Sequence, residues 1–135
     1  MYKNILIPVA LDHSHDINEA MQIAQTLRTK GGKITLLSVV ETVPGYVAGY
    51  LPEGQQEKSR AEIKANLAVD AKTGKDVETD VIAGHAGSSI VDYAKDRDVD
   101  LIIITSHKPG LQDFFLGSTA ARVVRYSQCP VHVLR

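Results

Sequence analysis

One cysteine, no tryptophan and no long apolar run set the first limits on this chain. With Cys129 alone, no intramolecular disulfide can form, which suits a reducing compartment and points to the cytoplasm. The opening Met1-Tyr2-Lys3-Asn4 runs straight into a strand-like segment without a signal-peptide pattern. No apolar stretch approaches the roughly 20 residues that span a bilayer, so a soluble protein without a membrane partner is expected. Neither sign of charge is in excess: 15 Lys and Arg against 16 Asp and Glu leave a formal charge of −1. That balance offers no broad positive footprint for nucleic acid or an anionic surface. What is present is 135 residues, 44% of them hydrophobic. This is enough for one domain over 1–135 whose core needs no disulfide or metal.

Apolar runs and helical stripes alternate along the chain. Ile5-Leu6-Ile7-Pro8-Val9 is nearly continuous, the pattern of a strand covered on both faces of a parallel sheet. Ile17, Ala20, Met21, Ala24 and Leu27 recur at helical spacing, Asp16 with Glu19 resembles a capping box, and Gly31-Gly32 is expected to stop that helix. Ile34 to Val40 reads as a second buried strand, and Glu41 to Gly54, with Pro44, Gly45, Gly49, Pro52 and Gly54, as a long loop. Glu57 to Lys72 suits a helix with Ile63, Leu67 and Ala71 on one stripe. Val77 to Ile82 alternates like an edge strand wetted on one face. Ile90, Val91, Tyr93 and Ala94 mark a third helix, whose charged end (Asp92, Lys95, Asp96, Arg97, Asp98) reads as a solvated surface. Leu101 to Ile104 is the most hydrophobic strand and should be central. A loop from Thr105 to Leu116, a helix from Ser118 to Tyr126 and a strand from Pro130 to Leu134 complete the chain. Such alternation argues for βαβ units, a parallel sheet and helices on both faces. Ligands of open doubly wound sheets bind outside the carboxyl ends of the strands, where the winding reverses.

At that end, Ile104-Thr105-Ser106-His107-Lys108-Pro109-Gly110 leaves the central strand and Gly117-Ser118-Thr119-Ala120-Ala121 opens the last helix. A helix amino terminus offers unpaired amides and partial positive charge, and glycine there admits phosphate oxygens close to the backbone. Ser118 and Thr119 add hydroxyl donors, Lys108 a cation, and Thr105 and Ser106 a second wall. The plainer alternative is a helix cap, with Ser118 bonding the amides of its own helix. Neither a Walker loop nor a GxGxxG is present, and Gly31-Gly32-Lys33-Ile34-Thr35 precedes a strand instead of a helix. That argues against a P-loop hydrolase and a nicotinamide dehydrogenase.

Ile5-Leu6-Ile7-Pro8-Val9 at the start, Leu101 to His107 in the middle, and Leu116-Gly117-Ser118 before Cys129-Pro130-Val131-His132-Val133-Leu134 together resemble the universal stress protein family over nearly the whole length. The Ser-His-Lys-Pro turn is similar to that of the small bacterial branch that includes the F and G types. The resemblance implies a Rossmann-like α/β fold of the adenine nucleotide alpha hydrolase kind, with five parallel strands ordered 3-2-1-4-5 and a nucleotide cleft between the first and fourth. It implies binding of ATP, or ADP or AMP, with Mg carried mainly by phosphates and water. Pro8, Val9, Ala10, Asp12, Val39, Ile104, Thr105, Ser106, His107, Lys108, Gly117, Ser118 and Thr119 would line the site. The sequence departs from the family's glycine motif in three ways. Thr105 stands at the first glycine, Lys108-Pro109 replaces the second glycine region, and the spacing to Gly117 is one residue short. Ala10 takes the place of an aspartate.

Several residues carry two readings. Asp12 either meets a ribose hydroxyl or caps a turn. Val39 presents backbone to an adenine edge, packs in the core, or does both. His13 and His15 suggest zinc but lack further ligands at suitable spacing, so surface histidines are the simpler reading. His107 either assists a proton transfer or shapes its turn, and no catalytic constellation stands around it. Cys129 before Pro130 reads as a small hydrophobe. The expected function is a nucleotide-responsive stress protein with slow or no ATP hydrolysis. A homodimer through the last strand, by Val131 and Val133, and an unidentified protein partner follow from the same resemblance. The alternatives are an interaction module that holds no nucleotide and an enzyme of ATP hydrolysis or adenylyl transfer.

Overall fold

The structure, a computed structural model, describes residues 1–10, 17–41, 55–72, 74, 76–106 and 117–135. Five strands, β1 (Tyr2–Pro8), β2 (Arg28–Val40), β3 (Val77–Ala83), β4 (Leu101–Thr105) and β5 (Val131–Leu134), form one sheet ordered β3-β2-β1-β4-β5. All four pairings are parallel. The helices are α1 (Asn18–Leu27), α2 (Gln55–Ala71), α3 (Ala86–Asp96) and α4 (Ser118–Tyr126).

Because strand side chains alternate in direction, each buried strand feeds two cores. Ile5 and Ile7 of β1, Ile34 and Leu36 of β2, and Leu101 and Ile103 of β4 pack with Ala20, Met21 and Ala24 of α1 and Leu67 of α2. Leu6, Leu37, Val39, Ile102 and Ile104 point the other way, against Ile90, Tyr93 and Ala94 of α3 and Ala120 and Val123 of α4. The Ile63, Leu67 and Ala71 stripe lies where its spacing placed it, with Leu67 buried and its neighbours partly so. On the second face, α3 and α4 approach closely at Gly87, where a Cβ would lie 2.7 Å from Cδ of Arg122.

Two local expectations change. The glycine pair does not stop α1: the helix ends at Leu27, and Gly31, with φ of +85°, and Gly32 lie within β2. Tyr2 pairs with Arg28 but Asn4 with Lys33, so the residues between on β2 bulge out of register. Arg28 stabilises the bulge by donating from Nη1 to the Gly32 carbonyl and to Asp76, both at 2.9 Å. The capping residue expected at position 16 lies outside the described residues, and Ile17 precedes α1 without a side-chain cap. Thr105 belongs to β4, paired with Leu134, not to the loop after it.

The charged end of α3 is exposed, as its composition suggests, and it flanks a buried tyrosine. Tyr93 is buried and donates its hydroxyl to Asp80 of β3 at 2.9 Å. Arg97 lies 3.9 Å from the Tyr93 ring centroid and 3.8 Å from the same carboxylate. Burial first, then the hydrogen bond to Asp80, pushes the Tyr93 hydroxyl up to about 12. At the opposite end of the sheet, Asp100 accepts the amides of Lys3 and Asn4 at 2.9 and 3.0 Å, tying the start of β1 to β4.

Tyr93→Phe is expected to lower unfolding stability by about 1 kcal/mol, read by urea titration. Since the folded tyrosine titrates above its ordinary value of 10.0, the stabilisation is complete below about pH 10 and drains as pH rises toward about 12. The Phe variant should lack that alkaline loss. Ser38, buried in β2, donates to the Val9 carbonyl at 3.1 Å. Ser38→Ala should cost about 1 kcal/mol in the same titration by leaving that carbonyl without its side-chain donor.

Candidate functional site

The contact between β1 and β4 is short. Only Ile5↔Leu101 and Leu6↔Ile102 are in register, after which the two strands turn to different neighbours. The last backbone bond of β1 goes to β2, from Val9 N to the Leu37 carbonyl at 2.7 Å. The chain leaving β4 bonds instead to β5, from Ser106 N to the Leu134 carbonyl, also at 2.7 Å. A crevice therefore opens at the carboxyl ends of β1 and β4, the point where the winding of the sheet reverses.

One wall is the exit of β1. Pro8 and Val9 are half-buried there and Ala10 is exposed. Ser38 holds this exit against β2 through the Val9 carbonyl. Beyond it lies the edge of β2. Leu37 turns its carbonyl to β1, and alternate residues of a strand present their backbone groups to the same side. The N–H and C=O of Val39 thus face the crevice, past the last paired position Pro8↔Leu37. Its side chain is buried in the second core, as is that of Ile104. For Val39 the backbone is what the crevice can meet, whereas Ile104, alternating with Ile102 and Ser106, turns its backbone to β5 and so presents neither backbone nor side chain to the crevice.

The opposite wall is the end of β4 and the start of α4. Thr105 is exposed and Ser106 half-buried, and Ser106 Oγ accepts the Gly117 amide at 2.8 Å. Gly117 occupies the position before the helix, with φ of −60° and ψ of 152°, and no side chain caps the helix among the described residues. The alternative in which Ser118 caps its own helix is not what the structure shows: Ser118 is exposed in the first turn. The first bond within the helix runs from Ala121 N to the Gly117 carbonyl at 2.8 Å. Helix geometry leaves the amides of Ser118, Thr119 and Ala120 without intrahelical partners. The glycine is not demanded by backbone angle or crowding, since an added Cβ would find its nearest neighbour, Ser106 Oγ, at 3.6 Å. Its effect is to leave open space beside those amides.

Electrostatics separate this helix start from two others at the same end of the sheet. The first turn of α1 carries Glu19, and Glu41 sets its carboxylate 3.3 Å from the Ala86 amide that opens α3. The first turn of α4 carries no acidic residue. Its partial positive charge is uncompensated by its own side chains and suits an anion.

Of the residues singled out from the sequence, the structure gathers Pro8, Val9, Ala10 and the Val39 backbone on one wall. Thr105, Ser106, Gly117, Ser118 and Thr119 form the other. Asp12, His107 and Lys108, with His13 and His15, lie outside the described residues. Sequence reasoning missed Ser38, although a lone polar residue inside Leu36-Leu37-Ser38-Val39-Val40 is a visible signal. It also missed Leu134 and Glu41, whose partners are distant in sequence. Cys129 packs, half-buried, against the second core as a small hydrophobe. Among the described residues, no helix is long and apolar enough to cross a membrane.

The model of the Universal stress protein family matches residues 1–135. Universal stress protein G of Salmonella typhimurium is 26% identical over 145 residues, covering all of both chains. The solved structure of the universal stress protein UspA from Lactobacillus plantarum, 27% identical, superposes with a TM-score of 0.77 over 99% of this chain and 98% of that one. Two neighbours share the fold at lower identity. One from Archaeoglobus fulgidus was solved in complex with dAMP, at 20% identity, TM-score 0.65 and coverage of 99% and 98%. The other is a universal stress protein solved in complex with cAMP, at 19% identity, TM-score 0.59 and coverage of 99% and 97%. With five parallel strands in the order 3-2-1-4-5 and a family match along its full length, the chain belongs to the universal stress protein family.

Proposed function

We propose that the crevice between β1 and β4 binds an adenine nucleotide and that the protein acts as a nucleotide-responsive stress protein. The observation that carries this is the divergence of β1 and β4. It leaves a backbone donor and acceptor on one wall, at Val39, and helix amides without intrahelical partners on the other. A single residue's N–H and C=O can read the donor and acceptor edge of adenine without a distinctive side chain. The α4 amides, with the Ser118 and Thr119 hydroxyls, suit phosphate oxygens. The solved relatives holding dAMP and cAMP support the adenine and phosphate chemistry.

ATP is the nucleotide proposed, with Mg bound chiefly through the phosphates and water. Neutral hydroxyls and amides at the start of α4 suit phosphate oxygens and leave the cation to the nucleotide. Among the described residues, no His or carboxylate hydrogen-bonds the hydroxyls of Ser106, Ser118 or Thr119 to activate them. That favours binding with slow hydrolysis over rapid turnover. Asp12, His107 and Lys108 belong to the same proposed site, on the ribose and phosphate sides. A homodimer is proposed through the edge of β5, which among the described residues is paired on one side only and carries half-buried Val131 and Val133. Light scattering on the purified protein should return twice the chain mass, and a monomer at all concentrations would exclude this contact.

The decisive test releases small molecules from freshly purified protein by denaturation and titrates ATP-Mg into wild type and Gly117→Asp. Adenine nucleotide should be released, or tight binding seen, and the variant should bind at least about ten-fold more weakly because its carboxylate occupies the phosphate position. Aspartate is a preferred residue before a helix, so thermal stability should stay level or rise slightly. Loss of binding would then not be loss of fold. Wild type that neither releases nor binds nucleotide would leave an interaction module as the better account.

A further inference from the structure

We propose that Ser106 is the positioning residue of the phosphate end, a role that rests on the nucleotide reading of the crevice. Its two hydrogen bonds join three elements. The Ser106 amide donates to Leu134 at the end of β5, at 2.7 Å, and its Oγ accepts the Gly117 amide that precedes α4, at 2.8 Å. The half-buried hydroxyl is thus fixed from the sheet side and holds the start of the helix in turn.

The consequence lies in which amides remain available. A Ser, Thr, Asn or Asp before a helix ordinarily folds its own oxygen back onto the second or third helical amide and consumes it. Here glycine stands at that position, and no side chain caps the helix among the described residues. The anchoring oxygen comes instead from the end of β4 and takes the Gly117 amide, which lies outside the first helical turn. Among the described residues, nothing takes the amides of Ser118, Thr119 and Ala120. A serine hydroxyl has one proton and two lone pairs. With one lone pair engaged by Gly117, the proton has no acceptor among the described residues and can point at a phosphate oxygen. Ser106 supplies the anchor and Gly117 vacates the space, so the two residues work as a pair.

The test compares ATP with adenosine, which lacks the phosphates, by calorimetric titration of wild type, Ser106→Ala and Ser106→Thr. The Ala variant should bind ATP about ten-fold more weakly, as expected for a lost contact at a charged group, with adenosine affinity within about two-fold of wild type. The Thr variant keeps the oxygen and should hold wild-type ATP affinity. Circular dichroism checks that each variant is folded. Unchanged ATP affinity in Ser106→Ala overturns the proposal, as does equal loss of ATP and adenosine. The same follows if Ser106→Thr fails as Ser106→Ala does, since shape would then be the cause. Wild type that binds neither ligand removes the nucleotide reading itself, and the positioning role with it.

Discussion

Two paired positions, Ile5 with Leu101 and Leu6 with Ile102, hold the halves of this sheet together, and the geometry of the crevice follows from how short that contact is. The four side chains are buried, alternating between the two cores, so the junction is fixed by packing from both faces. Beyond it each strand satisfies its backbone on its outer neighbour: β1 on β2 through Val9 and Leu37, and β4 on β5 through Ser106 and Leu134. Buried backbone groups must find partners, and here they find them by separating. The separation exposes the edge of β2 at Val39 and the start of α4 to a common space.

The two walls of that space use the backbone more than side chains. Val39 and Ile104 spend their side chains on the core, and Gly117 has none to spend. Such a site tolerates substitution of side chains provided that strand ends and helix start keep their relative placement. This gives a physical reason why a chain with threonine in place of the family's first glycine retains a helix start with no side-chain cap among the described residues and no acid in its first turn. The placement is maintained by groups around the crevice: Ser38 on the β1 side, and Ser106 on the β4 side. Charge follows the same division, since Glu19 and Glu41 serve the starts of α1 and α3 while the first turn of α4 carries no acid.

The strands and the helices were legible because their burial writes a period into the sequence. Leu101 to Ile104 could only be a strand covered on both faces, and the Gly117-Ser118 pair marked the start of the last helix to the residue. The bulge in β2 was not legible. It depends on Tyr2 pairing with Arg28, and on Arg28 reaching Asp76, 48 residues away. Nor was the role of Arg97, which is exposed within a solvated run and also lies over Tyr93, where β3 brings Asp80 to the same place.

The sequence by itself determined the class of fold and the order of elements, because apolar periodicity and glycine placement are local and survive in one dimension. Tertiary structure decided what the named residues do. Ser106 became an anchor for Gly117, and Val39 a backbone edge with a buried side chain, because hydrogen bonds across 11 residues and register between strands exist only once the chain has folded.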